Sequence, residues 1–170
     1  MPAMRTPTAK MSAEALAARL GLAPHPEGGF YRETYRASTL VDTPRGPRAA
    51  STAIHFLVTR GTFSALHRIA SDEVWHHYAG AALRVVRIAE DGARHDLVLG
   101  AELDAGQAPQ GVVPAGEWFG ATLESEGAWA LVGCTVAPGF DFADFELARR
   151  DDLLARFPQH DAIIRALTRA

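Results

Sequence analysis

Between Ala50 and Ala137 the chain alternates short runs rich in β-branched and aromatic residues with breaks, each marked by one to three turn-forming residues. The runs are Thr52–Thr59, Thr62–Arg68, Glu73–Tyr78, Leu83–Ala89, His95–Leu99, Gln110–Val113, Trp118–Leu123 and Ala128–Val136. Arg60-Gly61, Ser71-Asp72, Ala79-Gly80, Asp91-Gly92, Gly106, Pro114-Ala115-Gly116 and Glu126-Gly127 separate them. Strands packed this closely, with no helical period between them, predict a sandwich or barrel rather than βαβ units. Asp91-Gly92 carries the composition of a tight hairpin. Upstream, Phe30–Arg36 reads as a further strand, and residues 38–48, with Pro44, Gly46 and Pro47, as a loop.

Helical spacing appears only at the two ends. Ser12 has the character of an N-cap; Leu16, Ala17 and Leu20 follow on one face, and Gly21 stands where a helix stops. Asp151–Phe157 and Asp161–Leu167 are predicted helices parted by Pro158. Residues 1–11 are expected to be a loose tail and residues 12–170 a single domain, since 170 residues supply one substantial core.

Composition narrows the class of function. Hydrophobic residues are 48% and charged residues 22%, which excludes disorder. The net charge is -3 and no basic stripe is present, so neither nucleic acid nor an anionic membrane is an expected partner. No stretch approaches the ~18 apolar residues of a membrane span, and the first residues lack the apolar run of a signal peptide. Cys134 is the single cysteine, so no internal disulfide forms. A cytoplasmic protein is expected.

The candidate chemistry lies between Gly61 and Gly80. Alternate residues of a strand face one side, so His67 pointing into a barrel takes Ile69 with it. The turn at Ser71-Asp72 then sets Glu73 near His67 on the next strand, with Trp75 and His77 in the same phase. A His and a Glu walled by aromatic residues serve proton transfer, metal ligation or polar anchoring of a small ligand.

The spacing Gly61-x5-His67-x5-Glu73-x6-Gly80 resembles the first motif of the cupin superfamily, G-x5-H-x-H-x3-E-x6-G, and Pro114-Ala115-Gly116 resembles the P-x-G of its second motif. Four stretches look more narrowly like the cupin_5 (DUF985) family: Pro24 to Tyr35, Ser71 to His76, Val113 to Trp118, and Gly133 to Phe142. The resemblance implies an all-β fold, a double-stranded jelly-roll barrel with short terminal helices, and a homodimer; Phe30–Arg36, isolated by a long loop, is a candidate strand for exchange between copies. Metal-binding cupins take His, His, Glu and a later His as ligands. Ile69 and Phe119 stand at two of those four positions, and neither side chain coordinates. No cofactor is therefore expected, with a divalent metal on His67 and Glu73 as the alternative.

Gly29-Phe30-Tyr31-Arg32-Glu33-Thr34-Tyr35 also resembles a strand of the dTDP-4-dehydrorhamnose 3,5-epimerases, metal-free cupins with a His base. That likeness lays Glu33 on a sugar-nucleotide contact and His67 on the general base. Phe119-Gly120-Ala121 departs from the epimerase His-Gly-Phe. The leading expectation is a metal-independent isomerase or epimerase of a sugar or sugar phosphate. His67 and Glu73 are its catalytic groups, and Arg32, Glu33, Trp75, His77, Trp118 and Phe119 bind the ligand. A non-catalytic small-ligand-binding protein and a metal-dependent cupin with a depleted ligand set are the alternatives.

Overall fold

Period-two burial closes the strands into two facing sheets. The computed structural model describes residues 10–170. In chain order the strands are β1 (Ala23–Pro24), β2 (Phe30–Arg36), β3 (Leu40–Val41), β4 (Arg48–Ala49), β5 (Thr52–Thr59), β6 (Ser64–Arg68), β7 (Asp72–Gly80), β8 (Leu83–Ile88), β9 (Arg94–Leu99), β10 (Gln110–Val113), β11 (Trp118–Leu123), β12 (Trp129–Ala137) and β13 (Glu146–Leu147). The helices are α1 (Ala13–Leu20), α2 (Arg150–Arg156) and α3 (Asp161–Ala166). One sheet runs β1-β2-β5-β12-β7-β10 and the other β13-β6-β11-β8-β9, every ladder antiparallel. The result is a jelly-roll barrel with helices at both ends.

The main core fills the space between the sheets with Phe56, Val58, Trp75, Val85, Phe119 and Val132. Strand β6 shows the alternation. Ile69, just past its end, joins that core, whereas Leu66 faces outward with Val86, Ile88 and Trp118 into a second cluster under Leu153, Phe157, Ile164 and Leu167. Both faces of the smaller sheet are thus covered. Helix α1 lays Leu16 against Leu57, Trp129 and Leu131 on the outside of the larger sheet. Ser12 caps it by accepting the Ala15 amide, and Gly21 ends it at φ 65°.

Two expectations change. Of the tail expected over residues 1–11, residues 1–9 lie outside the described residues, and Met11 is held by its carbonyl, which accepts the Trp129 indole N–H at 2.8 Å. The loop expected over residues 38–48 contains the β3–β4 ribbon, closed by a turn in which Thr43 Oγ1 donates to the Gly46 carbonyl at 2.6 Å. Strand β2 pairs with β5, Phe30 against Leu57 through Arg36 against Thr52.

After β1 the chain makes a tight turn onto the barrel. The His25 carbonyl accepts the Gly28 amide at 3.0 Å, and the Ala65 amide donates to the Glu27 carbonyl at 2.7 Å. Gly28 sits at φ 107°, and a Cβ there would lie 2.2 Å from the Phe63 carbonyl oxygen. Only glycine permits both the dihedral and the approach. Gly28→Ala is expected to lower the stability by about 2 kcal/mol or more, from combined strain and overlap, measured as a shift in the denaturant midpoint.

Candidate active site

A cavity of about 660 Å³ opens between β2, β5, β12, the end of β6 and the start of β7. Its inner part presents His25, Glu27, Phe56, His67, Glu73 and Cys134; Arg32, Glu33, Arg36, Asp141 and Phe142 belong to the same lining. His67 and Glu73 therefore do share a β-walled space, and both are buried, at 3% and 7% exposure. They arrive there from different sheets. Strand β6 belongs to the smaller sheet and β7 to the larger, so the turn at Ser71-Asp72 carries the chain across the barrel rather than forming a hairpin within one sheet.

The partner of His67 is Glu27. His67 Nε2 lies 2.9 Å from Glu27 Oε2, and Ser64 Oγ donates to Glu27 Oε1 at 2.8 Å. On the other side of the ring His67 Nδ1 faces the Ala65 carbonyl at 2.8 Å. A carbonyl only accepts, so Nδ1 carries a proton, and Nε2 faces a carboxylate. The imidazolium is the form these two acceptors hold. Burial opposes a charged ring, but the Glu27 charge, its hydrogen bond, the Glu73 charge and the Ala65 carbonyl outweigh it, and the His67 pKa is raised. Burial likewise pushes Glu27 up, yet His67, with smaller contributions from His25 and Ser64, brings it below its ordinary value.

Glu73 has the opposite balance. Burial is the largest influence on it, countered by the His67 charge and reinforced by Glu27, and its pKa rises to about 7. The thiol beside it belongs to Cys134, itself pushed up by burial. The cavity thus holds one carboxyl group kept ionised and another kept protonated near neutrality. His25 adds a neutral ring: its Nδ1 accepts the Glu27 amide N–H at 3.1 Å, so the 3.8 Å approach to Glu27 Oε2 is no ion pair, and burial lowers its pKa.

The other expected residues divide. Arg32 and Glu33 line the cavity. Glu33 pairs with Arg36 at 2.8 Å, whereas Arg32 donates to the Leu20 carbonyl at 3.2 Å. Trp75 does not line it; the indole is core, edge-on to Phe56 and Phe119 at 6.0 and 6.2 Å. Phe119 packs on the His67 ring at 4.1 Å without lining the cavity. Trp118, its neighbour on β11, faces the opposite side of the sheet and lies under Arg68 at 4.6 Å. His77 keeps the inward phase of Glu73, but Trp75 lies between them along β7, and His77 Nε2 pairs with the Ala81 carbonyl at 2.9 Å. His67, expected as a general base, has no free lone pair in this geometry.

Glu27 and His25 were the residues that sequence reasoning missed. The signal was present in Pro24-His25-Pro26-Glu27-Gly28-Gly29, where two ionisable side chains sit inside a turn whose glycines mark a close approach. A cupin metal does not fit this donor set. Ile69 and Phe119 supply no ligand, both His67 nitrogens are engaged, and among the described residues no three His, Cys, Asp or Glu side chains are grouped to hold an ion.

Barrel, motif spacing and cavity together define a cupin. The chain belongs to the Cupin_5 family of the cupin superfamily (DUF985), matched over residues 14–148. It is similar to a hypothetical protein from Leishmania major, 36% identical over 94% of this chain and 100% of that one, with a TM-score of 0.90. A protein from Shewanella oneidensis is 40% identical over 94% of this chain and 98% of its own, at a TM-score of 0.87. Oxalate decarboxylase from Bacillus subtilis shares the fold at 17% identity and a TM-score of 0.54, over 85% of this chain and 36% of the decarboxylase. A comparison with curated proteins gives no match. Among the described residues, no helix is long and apolar enough to cross a membrane.

Two outcomes test the electrostatics. A proton held on folded Glu73 up to pH about 7 stabilises the protein fully below pH 4.5, and that stability is lost as pH rises to 7. Glu73→Gln should therefore gain on the wild type by roughly 3 kcal/mol between pH 5 and 8 in paired denaturation curves. Glu27→Gln strands a buried imidazolium; the expected loss is about 3 kcal/mol at pH 6, with a fall in the His67 pKa seen by ring-nitrogen NMR.

Proposed function

We propose that this cupin moves a proton on a small carbonyl compound, as an isomerase or epimerase of a sugar or sugar phosphate, with Glu27 as base and Glu73 as acid. The observation that carries the reading is the unequal setting of two carboxyl groups in one cavity. Glu27 accepts from Ser64 and His67, while Glu73 has burial as its main influence and a thiol beside it. Groups whose surroundings drive their pKa values apart are suited to acid and base roles at one pH.

In this scheme Glu27 takes the proton from the carbon next to the carbonyl as Glu73 protonates the carbonyl oxygen, giving an enediol. A proton returned to the former carbonyl carbon, as the other enediol hydroxyl gives its proton back to Glu73, isomerises the sugar; a proton returned to the opposite face of the first carbon, as the original carbonyl oxygen gives its proton back to Glu73, epimerises it. No electrons leave or enter. His67 acts as a positioning residue: it aims Glu27 and holds it ionised, and its charge favours the electron-rich intermediate. Phe56, Ile54 and Val136 supply apolar wall. Arg32, which has no carboxylate partner among the described residues, is suited to a phosphate or other anionic group at the mouth.

Solvent deuterium incorporation beside the carbonyl, followed by NMR across a panel of keto-sugars and sugar phosphates, tests the reading. Turnover should fall by about 10²–10⁴ in Glu27→Gln and in Glu73→Gln, and kcat should decline as pH rises through 7, where Glu73 loses its proton. Binding without any exchange would leave a ligand-binding protein instead. Iron, manganese or nickel at one per chain in purified protein would overturn the metal-independent scheme.

A further inference from the structure

A second depression, of about 590 Å³, lies beside the start of β6, where α2 meets residues 165–170. Four arginines line it, Arg149, Arg150, Arg165 and Arg169, against the single acidic side chain of Asp151. The chain as a whole is negative, so this concentration of cations is local rather than compositional. Exposed carboxylates flank two of the four: Asp161 at 3.0 Å from Arg165 and Asp152 at 3.6 Å from Arg149. Arg150 donates to neutral oxygens, Thr168 Oγ1 at 2.9 Å and the Arg165 carbonyl at 3.3 Å. Arg169 donates to the Glu27 carbonyl at 3.0 Å and lies over the Phe63 ring at 5.1 Å. Neither has an ion pair among the described residues. Like charges gathered in a concavity repel one another, and planar guanidinium forks match the oxygens of a phosphate.

Arg169 also joins this depression to the cavity. The carbonyl it contacts belongs to Glu27, and its guanidinium fills the space 2.6 Å from where a Gly28 Cβ would stand. The same Glu27 carbonyl accepts the Ala65 amide, and the Ala65 carbonyl faces His67 Nδ1. A charge that draws Arg169 outward removes a donor from the backbone that positions Glu27.

We propose that the four-arginine depression binds a small polyanion of the diphosphate class, and that Arg169 transmits its occupancy to the Glu27–His67 pair. The binding half is independent of the reaction assigned to the cavity. The experiment is calorimetric titration of the full chain with inorganic pyrophosphate, alongside the double variant Arg149→Ala/Arg165→Ala. Both side chains are exposed, so the variant should keep the wild-type melting curve. Loss of two charged contacts should weaken pyrophosphate at least about tenfold. Absence of binding to the wild type, or equal affinity for the double variant, would overturn the site. For the coupling, the His67 ring-nitrogen resonances should move on saturation with pyrophosphate in the wild type. In Arg169→Gln they should stay fixed at whatever pyrophosphate concentration saturates that variant. Saturation that leaves the wild-type resonances unmoved would overturn the link while leaving the binding site in place.

Discussion

The ion pair between His67 and Glu27 is the interaction on which the remaining architecture of the site depends. It joins a turn that follows the first helix to a strand of the smaller sheet, and both side chains are almost wholly out of water. Taking two charges into a protein interior is expensive, and an apolar replacement often does as well for stability alone. What the pair supplies here is a fixed charge state. Ser64 and the Ala65 carbonyl complete its hydrogen bonds, so neither member is left short of a partner.

From that pair the character of the cavity follows. Burial holds Glu73 protonated to about neutrality, while the two charges of the pair act on it in opposite senses, His67 against that proton and Glu27 for it. The two positions that carry imidazoles in metal-binding relatives are Ile69 and Phe119, whose apolar bulk belongs to the core and keeps this end of the barrel dry. A dry interior strengthens each remaining electrostatic contact. Proton chemistry suits such a place better than ligation does.

The barrel was legible because its strands are long enough to show a period. Phe30–Arg36, Thr52–Thr59, Gln110–Val113 and Trp118–Leu123 have the bounds read from their residues. The two-residue pieces Leu40–Val41, Arg48–Ala49 and Glu146–Leu147 are too short to carry a period; the first two pair with each other across a local turn, and the third pairs with Arg68 and His67, distant in the chain. His67 and Glu73 were legible from their spacing. Glu27 was not, since its contact with Ser64 spans 37 residues and exists only once the sheets close. Trp118 and Phe119 were both placed on the ligand, although adjacent strand residues face opposite sides. His77 had the right phase and the wrong depth, because an indole occupies the barrel before it.

The rim of the cavity is assembled before any ligand arrives. Arg48 grips Asp144 through two nitrogens at 2.8 and 2.9 Å, Arg36 donates to the Phe140 carbonyl at 3.0 Å, and the Phe140 amide donates to Thr52 Oγ1 at 2.9 Å. Segments far apart in sequence are thereby fastened into one collar that carries Phe142. On the proposed reading, a ligand meets walls that are already fastened together among the described residues, and so has little ordering entropy to overcome. On that reading selection falls on girth: a molecule slim enough for the collar would be admitted, and a bulkier cousin refused by hard contact before any carboxyl group can inspect it.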